Sequence, residues 1–136
     1  MALVFSAADS PKLMLPGRSA IDLVSGPKGS KAVSLRLVEV PVQQPGESLR
    51  GPHVHKYFEE CMYVVSGEGI THTDTGSYPI KPGEAILVAP GERHVTRNTG
   101  TVPLVLLCFF PAPEMMVGTE DVPELKPSSV VPAKRA

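Results

Sequence analysis

Gly51-Pro52-His53-Val54-His55-Lys56-Tyr57-Phe58-Glu59-Glu60, running on to Gly67, is the stretch whose reading decides the fold. It holds two of the four histidines, one residue apart, with two carboxylates just beyond. In a β-strand, side chains alternate with period two, so His53 and His55 share a face with Cα atoms about 6.6 Å apart. Both imidazoles can then converge on one ion. Glu60 follows His55 by five residues, an odd offset that an unbroken strand would place on the opposite face. The chain is therefore expected to turn or bulge within residues 56–59, so that Glu60 rejoins the site from the next strand. A second stretch, residues 83–98, supplies His94 just after a Pro90-Gly91 turn. Three imidazoles and a carboxylate form an N/O donor set suited to Fe, Mn, Ni, Co or Zn.

Working outward, the chain reads as short strands punctuated by turns. Residues 32–40 alternate, with Val33, Leu35 and Leu37 on one face and Ser34 and Arg36 on the other. Residues 61–65, 70–73, 77–80, 84–89, 94–98 and 104–110 read as further strands. They are separated by Ser66-Gly67-Glu68-Gly69, Asp74-Thr75-Gly76, Lys81-Pro82-Gly83, Pro90-Gly91 and Thr99-Gly100. Residues 104–110 form the longest apolar run, expected to be buried on both faces or to form one side of a dimer contact. Short strands at this spacing, with almost no helical periodicity, predict an all-β sandwich or barrel. Residues 3–5 and 21–24 are expected as short strands within an N-terminal arm of residues 1–31. Residues 32–111 form the barrel. Residues 112–136, studded with Pro113, Pro123, Pro127 and Pro132, form an extended tail along it that frays at 134–136.

His-x-His, four residues, Glu, six residues, Gly resembles the first motif of the cupin family, on His53, His55, Glu60 and Gly67. Gly83, Pro90, Gly91, His94 and Asn98 resemble the second. Gly46 lies one residue further from His53 than the family pattern, and Pro90 directly precedes Gly91 where the family often has a residue between. The resemblance implies a single cupin, a double-stranded β-helix or jelly-roll barrel. It also implies one divalent transition metal (Fe2+, Mn2+, Ni2+ or Zn2+) on His53, His55, Glu60 and His94. A homodimer is expected by the same resemblance, with the N-terminal strands packing on the barrel or on the partner. Glu59 competes with Glu60 as ligand, but the six-residue gap to Gly67 favours Glu60.

Parity places further residues. If Glu60 faces in, so do Met62 and Val64, and Thr96 follows His94 inward. Cys108 and Phe109 or Phe110 are expected on the pocket floor, and His72 either hydrogen-bonded on its strand or lining the pocket. Arg50 and Lys56 flank the motif and can neutralise an anionic substrate or stand as surface charge. Cys61 and Cys108 lie in apolar runs and read as buried free thiols.

Composition bounds the function. The chain has 136 residues, 42% of them apolar, and a net charge of −1. That suits one domain with a real core and predicts no nucleic-acid surface. No apolar run approaches the roughly 20 residues of a membrane-spanning helix. Residues 1–5 do not read as a signal peptide, so the cytoplasm is the expected location. The expected function is a metal-dependent enzyme on a small organic molecule that chelates the ion. Oxygen-dependent, dioxygenase-type chemistry is favoured over redox-neutral isomerisation, cyclisation, decarboxylation or elimination. A non-catalytic small-molecule-binding cupin is the third reading.

Overall fold

The structure is a computed structural model and describes residues 1–126. The expected fraying at 134–136 lies outside the described residues. The strands are β1 (Lys12–Leu15), β2 (Arg18–Val24), β3 (Ser34–Val40), β4 (His53–His55), β5 (Glu60–Ser66), β6 (Gly69–Thr73), β7 (Gly76–Ile80), β8 (Ala85–Val88), β9 (His94–Asn98), β10 (Leu104–Phe110) and β11 (Thr119–Asp121). Between β2 and β3 runs a single 3-10 turn, Gly26–Lys28. Every strand pairing is antiparallel. One sheet has the order β1-β2-β3-β10-β5-β8, and the second β11-β4-β9-β6-β7. The fold is a jelly roll of two facing sheets: the strand spacing predicts the all-β sandwich or barrel, and the family resemblance implies the jelly roll.

Residues 3–5 form no strand, which corrects the expectation. Val4 is almost fully exposed there, with no neighbouring strand to pair. The N-terminal pairing comes instead from β1, joined to β2 through Pro16-Gly17, where Gly17 takes φ +71°. Within the 112–126 stretch, Thr119–Asp121 forms β11, an edge strand on β4.

The core lies between the sheets. Ala20, Val38, Met62, Val64, Leu104, Leu106 and Phe110 are buried there. On β3 the inward set is Ser34, Arg36 and Val38, while Leu35 and Leu37 face out. Alternation was legible, but apolarity does not mark the inner face of this strand, because the outer face of the sheet is apolar too. The register shows why. Leu35 pairs with Phe109, Phe109 with Cys61, and Cys61 with Leu87. One pleat along, Ile21, Leu37, Leu107, Tyr63 and Ala85 lie side by side. Paired residues project to the same face, so two apolar rows cross the outside of the sheet. Tyr63, Leu87 and Phe109 are 45%, 63% and 40% exposed in them.

Gly67 is the motif position where glycine is required. It turns β5 into β6 at φ +79°, and a Cβ there would collide with the Pro103 carbonyl. Asn98 closes the next corner. Its side-chain amide donates to the carbonyls of Val40 (3.0 Å) and Val102 (2.8 Å), and its Oδ1 accepts from Gly100 N–H (2.8 Å).

Candidate metal centre

β4 presents His53 and His55 to the space between the sheets, and the register sets His53 directly opposite His94 on β9. Glu60 opens β5 in the facing sheet, so residues 56–59 carry the chain across, as the odd offset demanded. Phe58 turns inward during that crossing and stacks on His55, with centroids 5.5 Å apart and 24° between planes. Glu59 is exposed and is not one of the four clustered residues. Gly91, at φ +76°, donates its N–H to the His55 carbonyl at 2.7 Å, which ties the Pro90-Gly91 turn to β4.

One ligand-type atom from each of His53, His55, Glu60 and His94 lies within 4.8 Å of the other three. His53 Nε2 is 3.2 Å from His55 Nε2, and Glu60 Oε1 is 3.1 Å from His94 Nε2 and 3.6 Å from His55 Nε2. Bonds of about 2.0–2.2 Å around one ion bring neighbouring donors to about 3 Å of each other. The donor set and its spacing therefore fit a divalent transition metal.

Neighbouring groups preset two of the rings. Thr119 Oγ1 donates to the Met115 carbonyl. It therefore accepts from His55 Nδ1–H at 2.7 Å, which leaves the Nε2 lone pair facing the cluster. The Glu92 carbonyl can only accept, so the His94 Nδ1 at 3.0 Å also carries its proton and turns Nε2 inward. Thr119 was not found from sequence: it lies in a tail of unpatterned composition, 64 residues from His55. Thr119→Val is expected to weaken metal affinity about 10–100-fold, as loss of such an outer partner does. Metal competition titration reads this out, with unchanged circular dichroism as the control. An affinity within twofold of wild type would remove the role. His53 differs from the other two, because its Nδ1 lies 3.0 Å from Arg50 Nη2, which can only donate.

Electrostatics follow from burial. Burial, with His94 and Arg50 close by, lowers the His53 pKa to about 2. Burial opposes ionisation of Glu60, but the facing imidazoles of His55 and His94 outweigh it and hold the carboxyl well below its usual range. Burial also opposes the charge on His94, yet its bond to Glu60 raises the pKa above the ordinary value. In metal-free protein these shifts give a pH signature. An unfolded His53 takes up its proton near pH 6.5 and the folded one does not, so stability is lost as pH falls below about 6.5, by up to about 1.4 kcal/mol per pH unit. His94, with its raised folded value, opposes this slope near pH 6.5, where its unfolded form is half protonated, and adds none once both forms are protonated below about pH 5.5. Glu60 adds its own loss only below about pH 4.3, the unfolded carboxyl value. Urea midpoints of the metal-free protein between about pH 6.5 and pH 4.5 should show the slope, and His53→Gln should flatten it.

The cluster borders an inner chamber of about 50 Å³ that opens into a vestibule of about 510 Å³; His53, His55 and Met115 line both. Met62, Thr96, Cys108 and Phe110 are on the chamber wall. Val64 and His72 are not: their placing on the pocket wall is corrected, while the inward direction of Val64 and the hydrogen-bonded alternative for His72 are what the structure has. Val64 faces inward but lies one residue pair further along β5, sealed at 0% exposure. His72 alternates with inward Thr71 and projects from the outside of its sheet, 2.7 Å from Ser77 Oγ. Phe109 faces out and Phe110 faces in. Lys56 is exposed and bonds Glu120 at 2.7 Å, away from the cavity. Arg50 lines it, together with Arg18 and Arg36, which sequence reasoning had left out. The alternation on β3 was the available signal for Arg36, since it sets that residue opposite the outward leucines. Both cysteines are unpaired, and burial pushes the Cys108 thiol well up.

Comparison with known proteins agrees with this geometry. The Cupin domain family matches residues 40–110. Protein SchB of Streptomyces halstedii is 35% identical over 97 residues, spanning 68% of this chain and 70% of SchB. The tetracenomycin polyketide synthase protein TcmJ of Streptomyces glaucescens is 31% identical over 84 residues, 58% of this chain and 56% of TcmJ. Among solved structures, the polyketide cyclase RemF from Streptomyces resistomycificus superposes with a TM-score of 0.69 at 21% identity, covering 82% of this chain and 80% of RemF. With a jelly roll of two antiparallel sheets, three histidines and a glutamate converging at its cavity, and a family match over more than half its length, this chain belongs to the cupin domain family.

Proposed function

We propose that this chain is a metal-dependent enzyme that converts a small, enolisable carbonyl compound without net oxidation, by isomerisation, cyclisation or decarboxylation. The observation that carries it is the convergence of His53, His55, Glu60 and His94 beside a chamber that opens into a substrate-sized vestibule. A divalent ion held by these four residues would polarise a chelated carbonyl oxygen and favour its enolate. The chamber of about 50 Å³ admits the reacting oxygens, and the vestibule of about 510 Å³ lies in the range of ordinary ligand sites. Phe58 and Phe110 wall the inner side of His55, and the Cys108 thiol stays neutral there. Among the described residues, no carboxylate or imidazole outside the cluster lines the inner chamber. Proton movement therefore falls to the cluster and to bound water. The sequence relative TcmJ, a polyketide synthase protein, favours this reading over the oxygen-dependent chemistry expected from sequence.

The test is metal analysis of protein purified without added metal or chelator, followed by anaerobic assay of β-dicarbonyl compounds with oxygen uptake recorded in parallel. About one ion per chain and anaerobic conversion without oxygen uptake are expected. Uptake that tracks conversion would transfer the assignment to the dioxygenase. Metal with tight ligand binding but no conversion would make this a binding cupin.

The expected homodimer is proposed on the outer face of the β1-β2-β3-β10-β5-β8 sheet. Two apolar rows of this size stand where monomers rarely leave contiguous apolar surface, and a two-fold axis lets one such patch cover its own copy. Tyr63→Lys together with Phe109→Lys should shift the mass measured by light scattering from dimer to monomer while the cluster still takes up metal. Wild-type protein running as a monomer would refute it. The two free thiols fit a reducing compartment, so the cytoplasm is retained in this reading. No helix among the described residues is long and apolar enough to cross a membrane.

A further inference from the structure

We infer that Arg18 and Arg50 form an anion subsite, and that the substrate carries a carboxylate, separate from its chelating oxygens, which these two guanidiniums receive. Both line the inner chamber and the vestibule, as Arg36 does. The three are not equivalent. Arg36 is committed to Asp22, with Nε 2.5 Å from Oδ1. Neither Arg18 nor Arg50 has a carboxylate within salt-bridge distance among the described residues. Arg18 spends one donor on the Pro16 carbonyl at 3.0 Å, and Arg50 spends one on His53 Nδ1. Each guanidinium has five donors, so most of their hydrogen-bonding capacity is left for a ligand. Arg18 and Arg50 are both half-buried, and burial, with the Arg36 guanidinium close by, lowers the Arg18 pKa. A carboxylate between them would offset both effects, and a guanidinium fork suits it geometrically.

Charge bookkeeping points to the ligand's valence. Three guanidiniums stand against the carboxylates of Asp22, Asp121 and Glu60, so with the neutral imidazoles that an ion requires the site without its ion is balanced. A divalent ion leaves two positive charges over. An enolate at the ion and a carboxylate at Arg18 and Arg50 would supply two negative ones. An imidazole that binds an ion through Nε2 keeps its proton on Nδ1, so an ion at His53 would also remove the acceptor Arg50 now uses and turn that donor toward the vestibule.

The chelating end of this ligand rests on the metal reading above, whereas the anion subsite does not, and the experiment separates them. Succinylacetone, a β-diketone with a remote carboxylate, and its methyl ester are titrated by calorimetry into metal-free and zinc-loaded protein. Arg18→Gln and Arg18→Lys are measured beside wild type; Arg18 does not touch the cluster, so metal content should stay constant. The acid is expected to bind at least about 10-fold more tightly than the ester, as for a charge-assisted pair. Arg18→Gln should erase most of that preference, and Arg18→Lys should restore part of it. Metal uptake with acid and ester bound alike in both forms would overturn the subsite and leave the metal reading standing. Acid preference without metal uptake would sustain the subsite and sink the metal reading.

Discussion

His94→Ala protein is expected to lose its metal on purification, with affinity reduced by more than the roughly 100-fold that removal of an outer partner costs, since a direct donor is gone. His94 is 1% exposed, sits opposite His53 in the β4–β9 register, and aims Nε2 at Glu60 at 3.1 Å. Its removal takes away one of four donors and leaves the buried Glu60 carboxylate without its nearest partner. Glu59→Ala, at an exposed position one residue from Glu60, should retain wild-type metal content. Elemental analysis of the two variants side by side decides the matter. Equal occupancy in His94→Ala and wild type would end the assignment of the cluster.

The second large effect is expected at Phe110. Its ring is 1% exposed and meets both His55 and Phe58 edge-on, with centroids 5.1 and 5.7 Å away. Phe110→Ala should cost about 3–5 kcal/mol, the usual loss for a buried ring that leaves a cavity behind. Urea unfolding gives the number, and a change below about 1 kcal/mol would show that the neighbours collapse into the space. The variant should also bind metal less tightly, because His55 loses one of the two rings that hold it in place. The smaller Phe110→Leu change separates the effects, since it keeps most of the packing while removing the edge contact.

The sandwich of short strands was legible because turn residues recur between alternating segments, and both signals are local. Convergence of His53, His55 and Glu60 was legible for the same reason: period two fixes the histidines on one face, and an odd offset demands a crossing. The inner face of β3 was not legible. Leu35 and Leu37 carry the apolarity, but Phe109 and Leu107 lie beside them on the outer side of the sheet, where Tyr63, Cys61 and Leu87 extend the rows. A strand apolar outside and polar toward a cavity inverts the usual inference from hydrophobicity. Val64 faces inward as parity requires but was placed one step too near the pocket. Parity gives the direction a side chain takes but not how deep along the strand the cavity ends.

By itself, the sequence determined the strand periodicity, the turn at Gly67 and the shared face of His53 and His55, which follow from backbone geometry over a few residues, and its motif resemblance added Glu60 and His94 to the ligand set. The tertiary structure alone decided what surrounds that point. Arg18, Arg36 and Arg50 come from β2, β3 and the loop before β4, and Thr119 reaches His55 from an edge strand 64 residues away. Their meeting depends on which strands pair and in what register, a choice made by the long-range packing of two sheets and written in no single stretch of chain.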